Sequence, residues 1–320
     1  MGFTYFARRV VGTLPPLFGV LLLTFLIVHA VPGDPALLLA GEEASVERVQ
    51  EVRRDLGLDR PLPQQFVSYV GRVTRGDLGT SFSQSKPVTA VIGERIGPTL
   101  LLSGTAMFIS TTLGLVLGSA AARRPNGRFD LVVNTASLVG YAIPTFWLAQ
   151  MAVLLLSVRL GLFPILGYTD ARRQLTGIDH AADIAYHLIL PATVLAVSEI
   201  ALLTRVVRTG VLQQSGREYV RTARAKGLTE ERVSSHARRN ALLPVVTLIG
   251  ARVGFLVSGA VVLEAVFSWP GLGTVITTAA QQADRNTMIG LVLVIAVSVI
   301  LANLVTDLLY GWIDPRVRRL

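Results

Sequence analysis

Six stretches of the chain are predominantly apolar for about 20 residues or more, at 10–31, 98–122, 129–158, 186–208, 242–267 and 288–311. At about 1.5 Å per residue, each is long enough to cross a hydrocarbon core of about 30 Å. The pattern predicts an all-α polytopic membrane protein with six transmembrane helices. The polar stretches divide the chain into an N-terminal region with the first span (1–31), an external segment (32–97), and a core of spans two to six (98–320) that carries a polar loop at 209–241.

Composition agrees with a bilayer environment: 51% hydrophobic residues, 16% charged residues and a mean hydropathy of +0.55 over 320 positions. In the short connections, fifteen cations fall on one side, at Arg8, Arg9, Arg123, Arg124 and Arg128, in the 209–241 loop, and at Arg316, Arg318 and Arg319. Four fall on the other, Arg159, Arg172, Arg173 and Arg285. Both termini and the 209–241 loop are therefore expected in the cytoplasm, and the 32–97 segment outside. The net charge of +9 reads as this topology signal together with attraction to anionic membrane lipid, not as a nucleic-acid footprint. Val28-His29-Ala30 loosely matches a cleavage site, but the apolar run before it is too long for a signal peptide, so a retained span kinked near Pro15 and Pro16 is expected. The chain has no cysteine, which removes disulfides and thiolate ligands.

The 32–97 segment carries helix signals. Ser45 is placed to cap a helix with Val46, Val49, Val52 and Leu56 on one side and Gly57 at its end, and Phe66, Val70 and Val73 repeat at helical spacing after Pro63. A small folded cap on the helix ends and a docking surface for a substrate-delivering partner are compatible readings.

Chemistry of its own is hard to find. The only lysines, Lys86 and Lys226, precede Pro87 and Gly227, so no P-loop is present, and the chain has neither a GxSxG elbow nor a zinc-binding HExxH among its four histidines. Gly114 with Gly118, and Gly250 with Gly254, form GxxxG spacings that allow close helix approach, within one subunit or between two. Glu199 and Arg252 sit about 20 Å and about 15 Å into spans four and five, at nearly equal depth, where a charge needs a partner or a water-filled cavity. They are expected to face the interior, paired or lining a solute path. Glu264, Arg205 and Asp307 fall nearer the predicted interfaces and carry less weight.

The 209–241 loop has its own pattern. Arg217, Arg221 and Arg224 share one helical face, Tyr219, Ala223 and Lys226 another, and Gly227 permits a sharp break. Thr229 is placed to cap a second helix with Glu230 and Glu231 in its first turn, and Pro244 marks a restart where span five begins.

The string EYVRTARAKGL at 218–228, with ALLP at 241–244, resembles the cytoplasmic EAA loop of ABC-transporter permeases of the dipeptide/oligopeptide/nickel importer family. Further strings in the same order extend the resemblance over nearly the whole chain: VPGDP (31–35), LGLDRPL (56–62), RGDLGTS (75–81), IPTFWLA (143–149), HLILPA (187–192), VLEAVFSWPGLG (262–273) and DLLYGWIDPRVR (307–318). The loop departs from the general EAA pattern: Arg221, Thr222 and Ala223 stand at the Glu-Ala-Ala positions, and Pro244 falls four residues late, a variant that peptide-type permeases share.

The resemblance implies a non-enzymatic membrane subunit, paired with a homologous second permease subunit, two ATP-binding subunits and an extracytoplasmic solute-binding protein. No cofactor is expected on this chain, with ATP and Mg on the ATPase partners. It also implies an ATPase-coupling contact at Glu218, Tyr219, Arg221, Ala223 and Gly227, the small residues giving close approach and Tyr219 and Arg221 anchoring it, and a solute that is a short peptide, or alternatively a nickel chelate, glutathione or a glycoside. Glu218, three residues before Arg221, does not inherit the role of the EAA glutamate automatically. A secondary transporter would instead show inverted repeats and broken helices around a midplane site. A membrane anchor would leave the buried charges unexplained.

Overall fold

The computed structural model describes residues 3–30, 45–55 and 57–313, and its described elements are helical. The strings VPGDP and, from position 314, the end of DLLYGWIDPRVR lie outside them, as do Leu56 and the C-terminal cations. In order, the helices are α1 (Phe3–Gly12), α2 (Leu14–Ala30), α3 (Val46–Asp55), α4 (Leu62–Thr74), α5 (Val88–Arg123), α6 (Arg128–Ala142), α7 (Thr145–Ala152, continued by a π-helix at Val153–Arg159), α8 (Gly177–Ser215), α9 (Glu218–Ala225), α10 (Glu230–Val266), α11 (Leu272–Gln281) and α12 (Arg285–Ile313).

Four described stretches are long and apolar enough to cross a membrane: Phe6–Ile27, Val88–Arg123, Gly177–Ser215 and Arg285–Leu308. The third predicted run is not one straight helix. It breaks between α6 and α7 with a bend of 101°, because Pro144 has no N–H to donate and pushes Ile143 into extended backbone at φ −73° and ψ 126°. Counted as one span, this bent pair makes a fifth candidate. The predicted run at 242–267 lies inside α10, many of whose side chains fall outside the description.

The long helices overrun their predicted limits. α5 starts at Val88 and passes through Pro98, so ten residues of the 32–97 segment are continuous with the second span. α8, at 39 residues, and α10, at 37, would measure about 58 and 55 Å, nearly twice the hydrocarbon thickness. α10 also runs unbroken through position 244, so Pro244 does not restart the chain.

Small residues bring these helices together. α5 lies along α8, and a Cβ added at Gly118 would meet the Thr204 carbonyl at 2.6 Å and Val207 at 2.8 Å, while Gly114 abuts Leu203. Gly250 of α10 sits against Thr306 of α12 with no space for a methyl group. The glycines of the first spacing and Gly250 thus serve contacts within this chain, where close van der Waals packing holds membrane helices together. The largest apolar core joins α5, α7, α8 and α10 around Leu102, Leu188, Leu263 and Trp269, with Trp269 fully buried.

The 32–97 segment packs in two ways: residues 78–83 sit on the start of α12, where Asn286 Nδ2 donates to Thr80 O at 2.9 Å, and its helices lie elsewhere. Ser45 Oγ accepts the Arg48 N–H at 3.3 Å to cap α3, and Gly57, at φ 65°, terminates it. α4 lies along the flank of α2: Phe66 stacks edge-on against both Phe18 and Phe25, and Tyr69 and Thr24 share a hydrogen bond of 3.0 Å. Phe18 and Phe25 stand about 10 Å apart along the helix, so α4 reaches down beside the first span. Thr13 interrupts that span between α1 and α2, leaving Pro15 and Pro16 in the first turn of α2 where proline is tolerated. Arg9 then pairs with Asp307 at 2.9 Å, fastening α1 to α12.

Candidate functional site

α9 is a two-turn helix held between the ends of α8 and α10. Its closure follows from the sequence: Gly227 takes φ 76°, which glycine adopts without penalty, and this lets the Gly227 N–H donate to Arg224 O at 2.9 Å and the Leu228 N–H donate to Ala223 O at 3.2 Å. The reversed chain lays Val220 against Val233 and Ala237 of α10, with Ala223 and Leu228 packed at the edge. Arg224 clasps Glu230 through two hydrogen bonds of 2.6 and 3.1 Å, and those bonds hold the exposed Glu230 carboxyl below its ordinary range. On the other flank, Tyr219 donates to Gln214 Oε1 at 3.0 Å. Among the described residues, the buried side chains that seat α9 are Val220, Val233 and Ala237, and an exposed ion pair braces it.

Among the expected coupling residues, Glu218, Tyr219, Arg221 and Gly227 are exposed on this turn. Ala223 is not with them. It is half-buried and faces α10, so its small size serves the fit of α9 onto α10. Thr229 occupies the N-cap position of α10 but its side chain makes no capping hydrogen bond. The second helix of the loop is the first turns of α10 itself, so the turn at Gly227 leads directly into a helix of 37 residues.

The two charges expected within the spans meet. Arg252 Nη1 of α10 donates to Glu199 Oε1 of α8 at 3.1 Å, with Glu199 only 5% exposed. Equal depth on adjacent spans was the signal that carried this pairing.

Three polar constellations escaped the sequence reading. Arg208 of α8 makes a two-pronged ion pair with buried Asp130 of α6, the Nη2–Oδ2 bond at 2.7 Å, and Asp130 also accepts the Asn126 N–H at 2.8 Å. Its signal was a lone acid opening one apolar run and a pair of arginines, Arg205 and Arg208, closing another.

Glu264 is fully buried, where the sequence placed it near an interface. Its carboxyl accepts the Thr99 hydroxyl at 2.6 Å and the Gly273 N–H at 2.5 Å, while Thr99 accepts the Leu272 N–H at 2.8 Å. The first two N–H groups of α11 are thereby satisfied, and a side chain at Gly271 or Gly273 would run into the Glu264 carboxyl. The string VLEAVFSWPGLG is thus one device: an acid, a buried tryptophan and two glycines that turn α10 into α11.

Asp284 caps α12 and is also fully buried. It accepts the hydroxyls of Ser81 at 2.5 Å, Ser83 at 2.9 Å and Thr287 at 2.9 Å, and the N–H groups of Ser83 and Thr287. Burial alone would raise this carboxyl, but the five donors outweigh it and hold it at about 2. The string RGDLGTS brings Ser81 to this acid across more than 200 positions of sequence.

No group of three or more metal-ligating side chains occurs among the described residues.

Two family models cover the chain. The binding-protein-dependent transport system inner membrane component matches residues 114–319, and the N-terminal model of the same transport-system membrane component matches residues 2–103. The chain is 41% identical to a dipeptide transport system permease protein of Escherichia coli (strain K12), with 98% of each chain covered. It is 36% identical to an oligopeptide transport system permease protein of Bacillus subtilis (strain 168), again over 98% of each. A glutathione transport system permease protein of Pectobacterium atrosepticum is 39% identical over the same share of both chains.

Proposed function

The chain belongs to the family of binding-protein-dependent transport system inner membrane components, and from that membership we propose how it works. It is a multi-pass inner-membrane permease subunit of an ATP-driven ABC importer for dipeptides and oligopeptides; the glutathione permease among its relatives keeps small peptide-like solutes such as glutathione as the second reading. Nickel chelates and glycosides are more distant alternatives. In the full arrangement, six spans run with both termini in the cytoplasm, a homologous permease completes the pathway, two ATP-binding subunits carry ATP and Mg, and an extracytoplasmic solute-binding protein delivers the solute.

The observation that carries the mechanism is the continuity of α8, α9 and α10. A short helix closed by Gly227 joins two helices of 39 and 37 residues, both far longer than the bilayer core requires. Displacement of α9 by an ATPase partner is therefore passed to two membrane helices without a slack linker between them. ATP binding drives the change only to the extent that the partner holds α9 more tightly in one state than in the other. Glu218, Tyr219 and Arg221 form the exposed contact, and Gly227 sets its angle. Glu199 and Arg252 link the two moving helices at midmembrane depth, and their separation opens charged groups onto the solute path.

The test is reconstitution of the complex with its ATPase subunits and binding protein in vesicles. Gly227→Val forces a β-branched residue into left-handed backbone, at a cost of roughly 1–2 kcal/mol. It is expected to leave ATP hydrolysis running while uptake falls about tenfold or more. Unchanged uptake per ATP would remove the coupling assignment.

A further inference from the structure

At the end of the bundle opposite α9, a cavity of about 1070 Å³ opens between α2, α4, the loop at 75–85 and the start of α12. That is the top of the range of about 300–1,000 Å³ typical of sites for small organic ligands. Its chemistry is divided. Phe25, Tyr69, Leu78, Ile289 and Leu293 supply apolar wall, while Arg60, Arg72, Arg75 and Arg285 supply cations. Among the described residues, Asp77 is the one acid that lines it, and its Oδ1 already accepts the Gly79 N–H of its own turn at 2.9 Å. Among the described residues, no carboxylate forms an ion pair with Arg60, Arg72 or Arg75.

The surroundings choose among anions. The apolar wall comes partly from α2 and α12, helices long and apolar enough to cross the membrane, at the ends where they leave it. α4 lies along the flank of α2 with Val67 70% exposed and Leu62 56% exposed, as expected of a helix lying in the headgroup and acyl boundary. A cleft bounded by such a helix opens toward lipid, and cations at headgroup height meet phosphates first.

We infer that this cavity is a binding site for an anionic phospholipid, its phosphate held by Arg60, Arg72 and Arg75 and part of an acyl chain lying against Phe25, Ile289 and Leu293. The site rests on the membrane placement of the chain and is independent of which solute is carried. Bound there, the lipid joins α4 to α12 and stiffens the outer segment against the bundle.

The complete transporter complex, purified in mild detergent, provides the test through mass-spectrometric measurement of retained phospholipid. Wild type is expected to keep phosphatidylglycerol or cardiolipin in preference to phosphatidylethanolamine. Arg60→Gln, Arg72→Gln and Arg75→Gln combined should lower the retained anionic lipid about tenfold, and each single change less. Val67→Trp narrows the cavity with every charge kept, and it too should lower retention. Lysine at all three positions should restore most of the binding, which separates lost charge from lost folding. Equal retention by wild type and the glutamine variants would overturn the proposal. So would a glutamine variant that keeps its lipid but loses stimulation by the binding protein, because the arginines would then meet an acidic protein surface.

Discussion

The two ends of this molecule use polar groups in opposite ways. At the far end, Glu264 and Asp284 are both fully buried, and hydroxyls and backbone N–H groups from near and distant parts of the chain bond to them. At the α9 end, Arg224 and Glu230 retain 47% and 72% of their side-chain exposure, and Glu218, Tyr219 and Arg221 present their side chains to the outside. Buried networks in a low-dielectric interior fix geometry, because any displacement strands a donor or acceptor. Exposed groups fix little and remain available to a partner. One end is built to stay in register, and the other leaves its polar side chains exposed.

The strongest test of that contrast is Glu264→Ala. It leaves the Gly273 N–H without an acceptor, frees the Thr99 hydroxyl and opens a cavity between α10 and α11, a combination expected to cost about 3–5 kcal/mol. The complex should fail to assemble, or its thermal midpoint in detergent should fall sharply. A near-normal midpoint would show that the α10–α11 turn does not depend on this acid. Next in size is the link between the two ends, the Glu199–Arg252 pair. Removing either partner strands a largely buried charge, so each single change should be worse than the double change to Gln and Met, with a coupling of about 1–3 kcal/mol in stability. Purely additive effects would mean that the pair does not act as a unit.

A smaller effect is expected at Asp284. Its folded value of about 2 lies below the ordinary 3.8, so the deprotonated carboxylate favours the folded state. That contribution is complete above about pH 5 and is lost as pH falls from about 4 to about 2, amounting to roughly 2 kcal/mol. Amide exchange at Ser83 and Thr287 should accelerate over this window, and Asp284→Asn should abolish the dependence. If the asparagine variant kept the same pH profile, another group would be responsible.

The same division explains what the sequence disclosed. Apolar runs located the four helices long and apolar enough to cross a membrane, and the bent pair, because length and hydropathy are local properties, and Gly227 announced its turn because a left-handed residue can be recognised alone. Equal depth on neighbouring spans left Glu199 and Arg252 either paired or lining a solute path, and the fold pairs them. The bend at Ile143–Pro144 was present in the residues but hidden by a run whose total length suited one span. Glu264 and Asp284 were illegible for a different reason: their partners, Thr99 and Ser81, lie more than 160 positions away, and an acid beside an apolar run reads as an interface residue until the fold brings donors to it. Ala223 was misplaced because helical spacing gives faces but not which face is turned inward.

The smallest expected effect separates bracing from docking at α9. Arg224 and Glu230 are exposed, so breaking their pair should leave the thermal midpoint of the complex unchanged. The depressed Glu230 carboxyl makes the brace present above the ordinary value of 4.5 and weaker as pH falls below it, and added salt should weaken it as well. Arg224→Glu alone then places two acids side by side and should lower uptake per ATP modestly, by less than Gly227→Val. Adding Glu230→Arg restores the pair with reversed sign. If Arg224 only holds α9 against α10, the reversed pair should recover coupling. If coupling stays low in the reversed pair while the midpoint is normal, Arg224 itself meets the ATPase partner, and the gripped surface extends onto the residues that close the turn.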